Sequence, residues 1–295
     1  MLGPFQTLLV RDEGAVLFVS IAAPPLNLIG PELVRDLVDL IQQAEADDAV
    51  RVIVFKSADP DYFIAHVDLN RVAEYRDSAT KLAGEPSLGL LFRYLSASRL
   101  ITIAQIEGRA GGAGSEFALA CDMRFAARGR AIFRHMEPAF GWIEGAGGVQ
   151  HLTRLMGRGR ALEVLMSGQD YDADLAERYG WVNRALPLAE LDAFVSVLAH
   201  RLAGFPPMGL ASIKARVNDI ALAPADEFRR DSMTFLENLR EPASKSRVGA
   251  AFERGFQTRE GEMDLAAMLG DLPQSYRTAS AGPRTTPDGK GNADA

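Results

Sequence analysis

Residues 101 to 122 read ITIAQIEGRAGGAGSEFALACD. The stretch opens on an apolar run, Leu100 to Ile106, that predicts a strand buried on both faces. Gly108, Gly111, Gly112 and Gly114 follow, and a short apolar helix is expected over Ser115 to Ala120. Glycines let a backbone approach a ligand closely, and free amides at a helix N-terminus point at negative charge, so an anion or oxyanion is the expected guest. A tight structural turn is the competing reading. No Gly-Lys-Ser/Thr follows, and the glycine spacing is not G-x-G-x-x-G, which argues against phosphate-loop and dinucleotide sites.

Outward from this stretch, the chain predicts an α/β fold. Residues 7–21 read as a hairpin turning at Asp12-Glu13-Gly14, and Pro31 opens a helix predicted over 31–46. Val52 to Phe55 is another buried strand, 57–70 an irregular loop, and 87–98 a helix. Strands are expected at 123–126 and 131–133, and a second glycine cluster, Gly145, Gly147 and Gly148, precedes helical segments at 149–156 and 159–167. The remainder reads as helices near 172–179, 188–204, 207–220, 226–239 and 244–254. From about Pro273 the composition turns polar and predicts disorder.

The 295 residues carry a formal net charge of -7 and are 47% hydrophobic, which suits one large globular domain or two modest ones and disfavours a nucleic-acid surface. With Cys121 as the single cysteine no intramolecular disulfide can form, as is usual in a reducing cytoplasm. Neither a signal peptide nor an 18-residue apolar run is evident, so no membrane association is expected.

Among residues that carry chemistry, Glu116 falls in the first turn of the predicted helix, beside the amides and ahead of an apolar run. A dipole-complementing surface residue is its plainer reading. Glu137 follows a predicted strand, Glu144 lies in an apolar loop, and two carboxylates in differing environments can serve as acid and base. His66, His135, His151 and His200 show no metal-ligand spacing, and Cys121 reads as a small core residue, so neither a metal nor covalent catalysis is expected.

Four separated blocks resemble the crotonase superfamily, the enoyl-CoA hydratase/isomerase family, over roughly residues 5–270. They are Pro25-Leu26-Asn27-Leu28, then Phe63 to Leu69 (FIAHVDL), then Glu107 to Glu116 (EGRAGGAGSE), and finally Phe133 to Glu137 with Gly141 to Gln150. The resemblance implies a crotonase-like ββα spiral over 1–200 holding the CoA and acyl site. A helical C-terminal trimerisation region over 201–270 and a disordered tail over 271–295 complete the expected organisation. It implies an enoyl-CoA hydratase that adds water across the 2,3 double bond of a CoA thioester, with Glu116 and Glu137 as the acid and base. The amides of Val67 and Ala113 become the oxyanion hole. Leu26, Ala65, His66, Asp68, Leu69 and Gly112 become substrate- or CoA-binding residues, and Phe140, Trp142 and Glu144 candidates for the acyl site, together with the stretch near 75–95. An isomerase, another enolate-forming reaction, or a CoA-thioester binding protein without turnover are the alternatives. No cofactor beyond the substrate's own CoA is implied, and the expected assembly is a homotrimer or dimer of trimers in the cytoplasm. His66 and Val67 stand where the family carries glycine and alanine, which predicts a reshaped pocket and, if position 66 needed a positive φ, strain. Glu144 stands in place of a proline and predicts a polar acyl group or altered proton chemistry.

Overall fold

The computed structural model describes residues 2–272. The tail expected from Pro273 lies outside these residues. The hairpin forms as expected, β1 (Leu8–Glu13) against β2 (Val16–Ile21), and α1 spans Pro31–Ala46 with proline in its first turn. There follow β3 (Val52–Ser57), β4 (Tyr62–Ile64), α2 (Val72–Ser78), α3 (Thr80–Ala83) and α4 (Leu88–Ala97). Next come β5 (Ile101–Ile106), β6 (Arg109–Gly111), α5 (Ala113–Ala120), β7 (Met123–Ala127), β8 (Ile132–Arg134) and α6 (Glu137–Phe140). After α7 (Gly148–Ser167), β9 (Tyr171–Asp172), α8 (Ala173–Tyr179) and β10 (Arg184–Leu186), the described chain is helical. Its helices are α9 (Leu188–Ala203), α10 (Pro207–Ala221), α11 (Ala225–Asn238), α12 (Pro242–Phe252), α13 (Arg259–Glu262) and α14 (Leu265–Gly270).

The strands alternate between two sheets. The first has the order β1-β2-β3-β5-β7-β10 and is parallel except for the opening hairpin; the second has the order β4-β6-β8-β9. Each turn of the chain therefore gives one strand to each sheet before a helix crosses back, which is the ββα spiral expected from the resemblance. Val54 is registered between Phe18 and Ile103. One face of the large sheet packs Leu17, Ile53, Phe55 and Ala104 on α1, α4 and α5, while Val16, Val52, Val54 and Ile103 pack on α9. Burial on both faces accounts for the unbroken apolar run at 52–55.

Two expectations change. The 57–70 loop contains β4, because Tyr62 and Ile64 pair with Arg109 and Ala110 on β6, itself hidden inside the glycine-rich turn. The two helices expected at 149–156 and 159–167 both form, α7 being two helical segments that meet at a kink where Gly157 takes φ 76° and ψ 163°. The short strands β9 and β10 and the helices α13 and α14 were not anticipated.

Candidate active site

The glycine-rich turn lets two chain segments touch. A side chain on Gly114 would place its Cβ 2.1 Å from the Ile64 carbonyl oxygen, so only glycine lets α5 begin against the 64–67 loop. Gly112 adopts φ 46° and ψ -124°, and a Cβ there would stand 2.7 Å from Glu137 Oε1. In the opposing loop, Val67 makes a parallel bridge to Ile29, using the His66 carbonyl and the Asp68 N–H. The residue at the centre of such a bridge turns its own N–H and carbonyl away from the partner strand. Neither the Val67 N–H nor the Ala113 N–H donates to any group among the described residues, and both residues line the same cavity. Ala113 is also the first residue of α5, whose dipole favours negative charge at that end.

Glu116, 2% exposed, lies one turn into α5. Its Oε1 accepts from the Ala146 and Gly148 N–H groups, each at 2.8 Å, at the start of α7. Both glycine clusters thus converge on one carboxyl. Burial, and next the neighbouring Glu137 charge, raise Glu116 above the ordinary carboxylate range, against the amides that favour its ionised form. Glu137 opens α6; its Oε2 has no hydrogen-bond partner, and its side chain shares the cavity wall with Glu116.

That cavity, about 490 Å³, is otherwise mostly apolar, bounded by Leu69, Tyr75, Leu88, Trp142, Phe235 and Phe256 among others. Of the expected site residues, His66, Val67, Leu69, Ala113, Glu116, Glu137 and Trp142 meet here, as do Tyr75 and Leu88 from the 75–95 stretch. Others lie elsewhere. Leu26 packs its side chain into a small buried cluster with Tyr62 and Ala65 rather than onto the cavity. Asp68 accepts from the Asn70 N–H and faces a separate surface depression, and Gly112 lies behind Glu137. Phe140, fully buried, supports the wall from behind by stacking on Trp142 at 4.6 Å between ring centroids.

A family profile for enoyl-CoA hydratase/isomerase matches residues 11–253. The chain belongs to the enoyl-CoA hydratase/isomerase family. It is 29% identical to the short-chain-enoyl-CoA hydratase of Clostridium acetobutylicum over 261 residues, covering 82% of this chain and 99% of that protein. It is 31% identical to the 2,3-dehydroadipyl-CoA hydratase of Escherichia coli over 208 residues, covering 70% of this chain and 80% of that protein. Among solved structures, a provisionally named enoyl-CoA hydratase from Streptomyces avermitilis superposes with a TM-score of 0.91 at 49% identity, covering 93% of this chain and all of that one.

Against the family's usual first loop, His66 is accommodated without strain, since among the described non-glycine residues only Asn27 and Gln257 have positive φ. Its ring stacks on Phe256, 4.7 Å between centroids and 8° from parallel. The ring nitrogens face two acceptors, the Val67 carbonyl from Nδ1 and Glu262 Oε1 from Nε2, both at 2.8 Å. The Val67 carbonyl can only accept, and Glu262, lowered from its ordinary value, is favoured as a carboxylate, so the contacts favour the imidazolium form of His66. Burial opposes that charge, but Glu262 outweighs it: His66 is raised and Glu262 lowered from their ordinary values.

Glu144, a candidate for the acyl site, is set back from the cavity. It is 3% exposed, neither on the cavity wall nor in solvent, and burial and then Glu137 push it well above the usual carboxylate range. Its Oε1 lies 3.9 Å from His135 Nδ1, which is 3.6 Å from Glu137 Oε2. Ligating atoms of His135, Glu137 and Glu144 fall within 4.8 Å of one another, close enough for a divalent cation or for proton sharing. No sequence spacing reveals this cluster, because β8 and the loop after α6 bring it together. Arg76 also lines the cavity from the 75–95 stretch, while sequence reasoning missed Met136, Phe235 and Phe256 on its wall; the two phenylalanines arrive from the C-terminal helical region, with no motif to mark them.

Proposed function

We propose that the protein hydrates 2-enoyl-CoA thioesters, the Val67 and Ala113 N–H groups binding the thioester oxygen and Glu116 with Glu137 moving the protons. The observation that carries this reading is the meeting of two unpartnered amides and two buried carboxyls on one apolar cavity. The family membership and the hydratase names of the relatives support it.

In the forward step an O–H bond of water breaks as its oxygen bonds the β carbon, and the proton passes to Glu116. The double-bond electrons move toward the thioester, and the charge gathers on the oxygen held by the two amides. Glu137 then gives a proton to the α carbon, and the proton on Glu116 restores it, so one water is added and the pair ends as it began. Preorganised donors of this kind are worth about 2.7–4 kcal/mol each in the barrier. Burial and the neighbouring Glu137 charge let the coupled pair keep one proton at neutral pH, and with that proton on Glu137 the carboxylate of Glu116 is free to take the one from water. The Ala146 and Gly148 amides fix Glu116 Oε1 and leave Oε2 for the water.

Incubation with a 2-enoyl-CoA in isotopically labelled water tests this reading. A 3-hydroxyacyl-CoA carrying the heavy oxygen supports it, and recovery of a shifted double bond without oxygen uptake replaces it with isomerisation.

We also infer a homotrimer or dimer of trimers, supported by Ile213, Val217 and Ile220, which are 64%, 54% and 76% exposed and share one face of α10. Light scattering that returns a monomer contradicts the assembly. A cytoplasmic location rests on the family reading and on a single, buried cysteine; no helix among the described residues is long and apolar enough to cross a membrane.

A further inference from the structure

The apolar cavity has one arginine on its wall that no carboxylate among the described residues contacts directly. Arg76, on α2, lines it beside Tyr75 and is partly buried. Its hydrogen bond runs from Nη1 to Ser232 Oγ at 2.9 Å, and among the described residues no carboxylate forms an ion pair with it. Nearby arginines differ. Arg71 is paired with Glu32 and Glu74, and Arg229 with Glu85 and Asp226.

The side chain is also held in place. Ser232, 2% exposed, accepts from Arg76 and from Ser87, 3% exposed, whose hydroxyl caps α4 by accepting from the Leu90 N–H. Two buried serines on separate helices thus fix one edge of the guanidinium, leaving Nε and Nη2 without protein partners. Burial lowers the pKa of Arg76 by more than the Tyr75 and Glu85 charges raise it, as expected of a cation taken from water without a direct ion pair. A planar fork with free donors is suited to a carboxylate. Glu116 and Glu137 share the cavity but make no ion pair with it, so its free donors are open to an anion on a ligand.

We propose that Arg76 recognises a carboxylate on the acyl group, making 2-enoyl-CoA thioesters of dicarboxylic acids the preferred substrate class. This rests on the hydration reading above. The other anions on such a ligand are the CoA phosphates; we favour the acyl carboxylate because Arg76 shares the enclosed wall with Trp142, Phe235 and Phe256.

The test compares two 2-enoyl-CoA esters of equal chain length, one ending in a carboxylate and one in a methyl group, with the unmodified protein, Arg76→Met and Arg76→Lys. Dissociation constants for the corresponding saturated esters are measured in parallel, so selectivity is read without turnover. The expected result is a preference for the carboxylated ester of about tenfold or more in kcat/KM, as for a charge-assisted hydrogen-bond pair, lost in Arg76→Met and partly kept in Arg76→Lys. No preference in the unmodified protein overturns the proposal. So does an equal loss on both esters in Arg76→Met, which assigns Arg76 to a CoA phosphate or to support of α2. Binding that favours the carboxylated ester with no hydration of either sustains the recognition and overturns the hydration reading instead.

Discussion

His66 Nε2 donates to Glu262 Oε1 at 2.8 Å across 196 residues of sequence, with both side chains at most 3% exposed. The same imidazolium donates to the carbonyl of Val67, the residue whose N–H faces the cavity. A C-terminal helix thereby steadies the loop that carries an oxyanion donor. Glu262→Gln leaves a buried cation with a weaker partner, and breaking a buried pair costs about 3–5 kcal/mol. Chemical denaturation of the two proteins at pH 6 checks this, and a difference under about 1 kcal/mol contradicts it.

The pair also sets a pH window. His66 is raised above its ordinary 6.5, so its contribution is complete below that value and disappears as pH rises through the raised one. Glu262 is lowered below 4.5, so its contribution is complete above 4.5 and disappears as pH falls through the lowered value. The stability gap between the unmodified protein and Glu262→Gln is therefore largest between about 4.5 and 6.5 and narrows at alkaline pH. A gap that widens steadily with pH would show that His66 is not the partner being charged.

The large sheet and its helices were legible because residues 16–21, 52–55 and 101–106 are apolar on both faces and α1 starts on a proline. The second sheet was legible only at β8, expected as a strand over 131–133, since β4 and β6 have three residues each and are specified by pairing with their neighbours. At the site, Glu116 and the glycine turn stood out locally, and the family blocks supplied the likeness for Glu137 and Val67. Glu262 left no local mark, and Arg76 was marked only as part of the 75–95 stretch. Each owes its place to a partner far along the chain, His66 for one and Ser232 for the other.

Glu144→Gln tests whether a third carboxyl takes part. Glu144 is off the cavity wall and raised by burial, and Gln copies the shape of its protonated form. The hydration rate of this variant should stay within about threefold of the unmodified protein, since acid–base partners contribute about 10²–10⁴-fold. A loss of that larger size would put Glu144 in the proton path through His135.

Gly112→Ala places a methyl against Glu137 Oε1 at a φ of 46°, a conformation costing about 1–3 kcal/mol for a side-chain-bearing residue. Both effects disturb the second acid–base residue, so kcat should fall by more than the measured loss of stability explains. Steady-state kinetics beside thermal unfolding checks it; an unchanged kcat in a destabilised variant sinks the placement of Glu137 at the reacting carbons.

The most direct measurement is the loss of conjugated-thioester absorbance when the protein meets a 2-enoyl-CoA, repeated with Glu116→Gln. Gln can still accept from the Ala146 and Gly148 amides, so the fold is retained while the base is lost. Rapid loss with the unmodified protein, slowed about 10²–10⁴-fold in the variant, is the predicted result. Saturable binding of the thioester with no loss of absorbance, or an equal rate in Glu116→Gln, contradicts the assignment of hydration to this pair of glutamates.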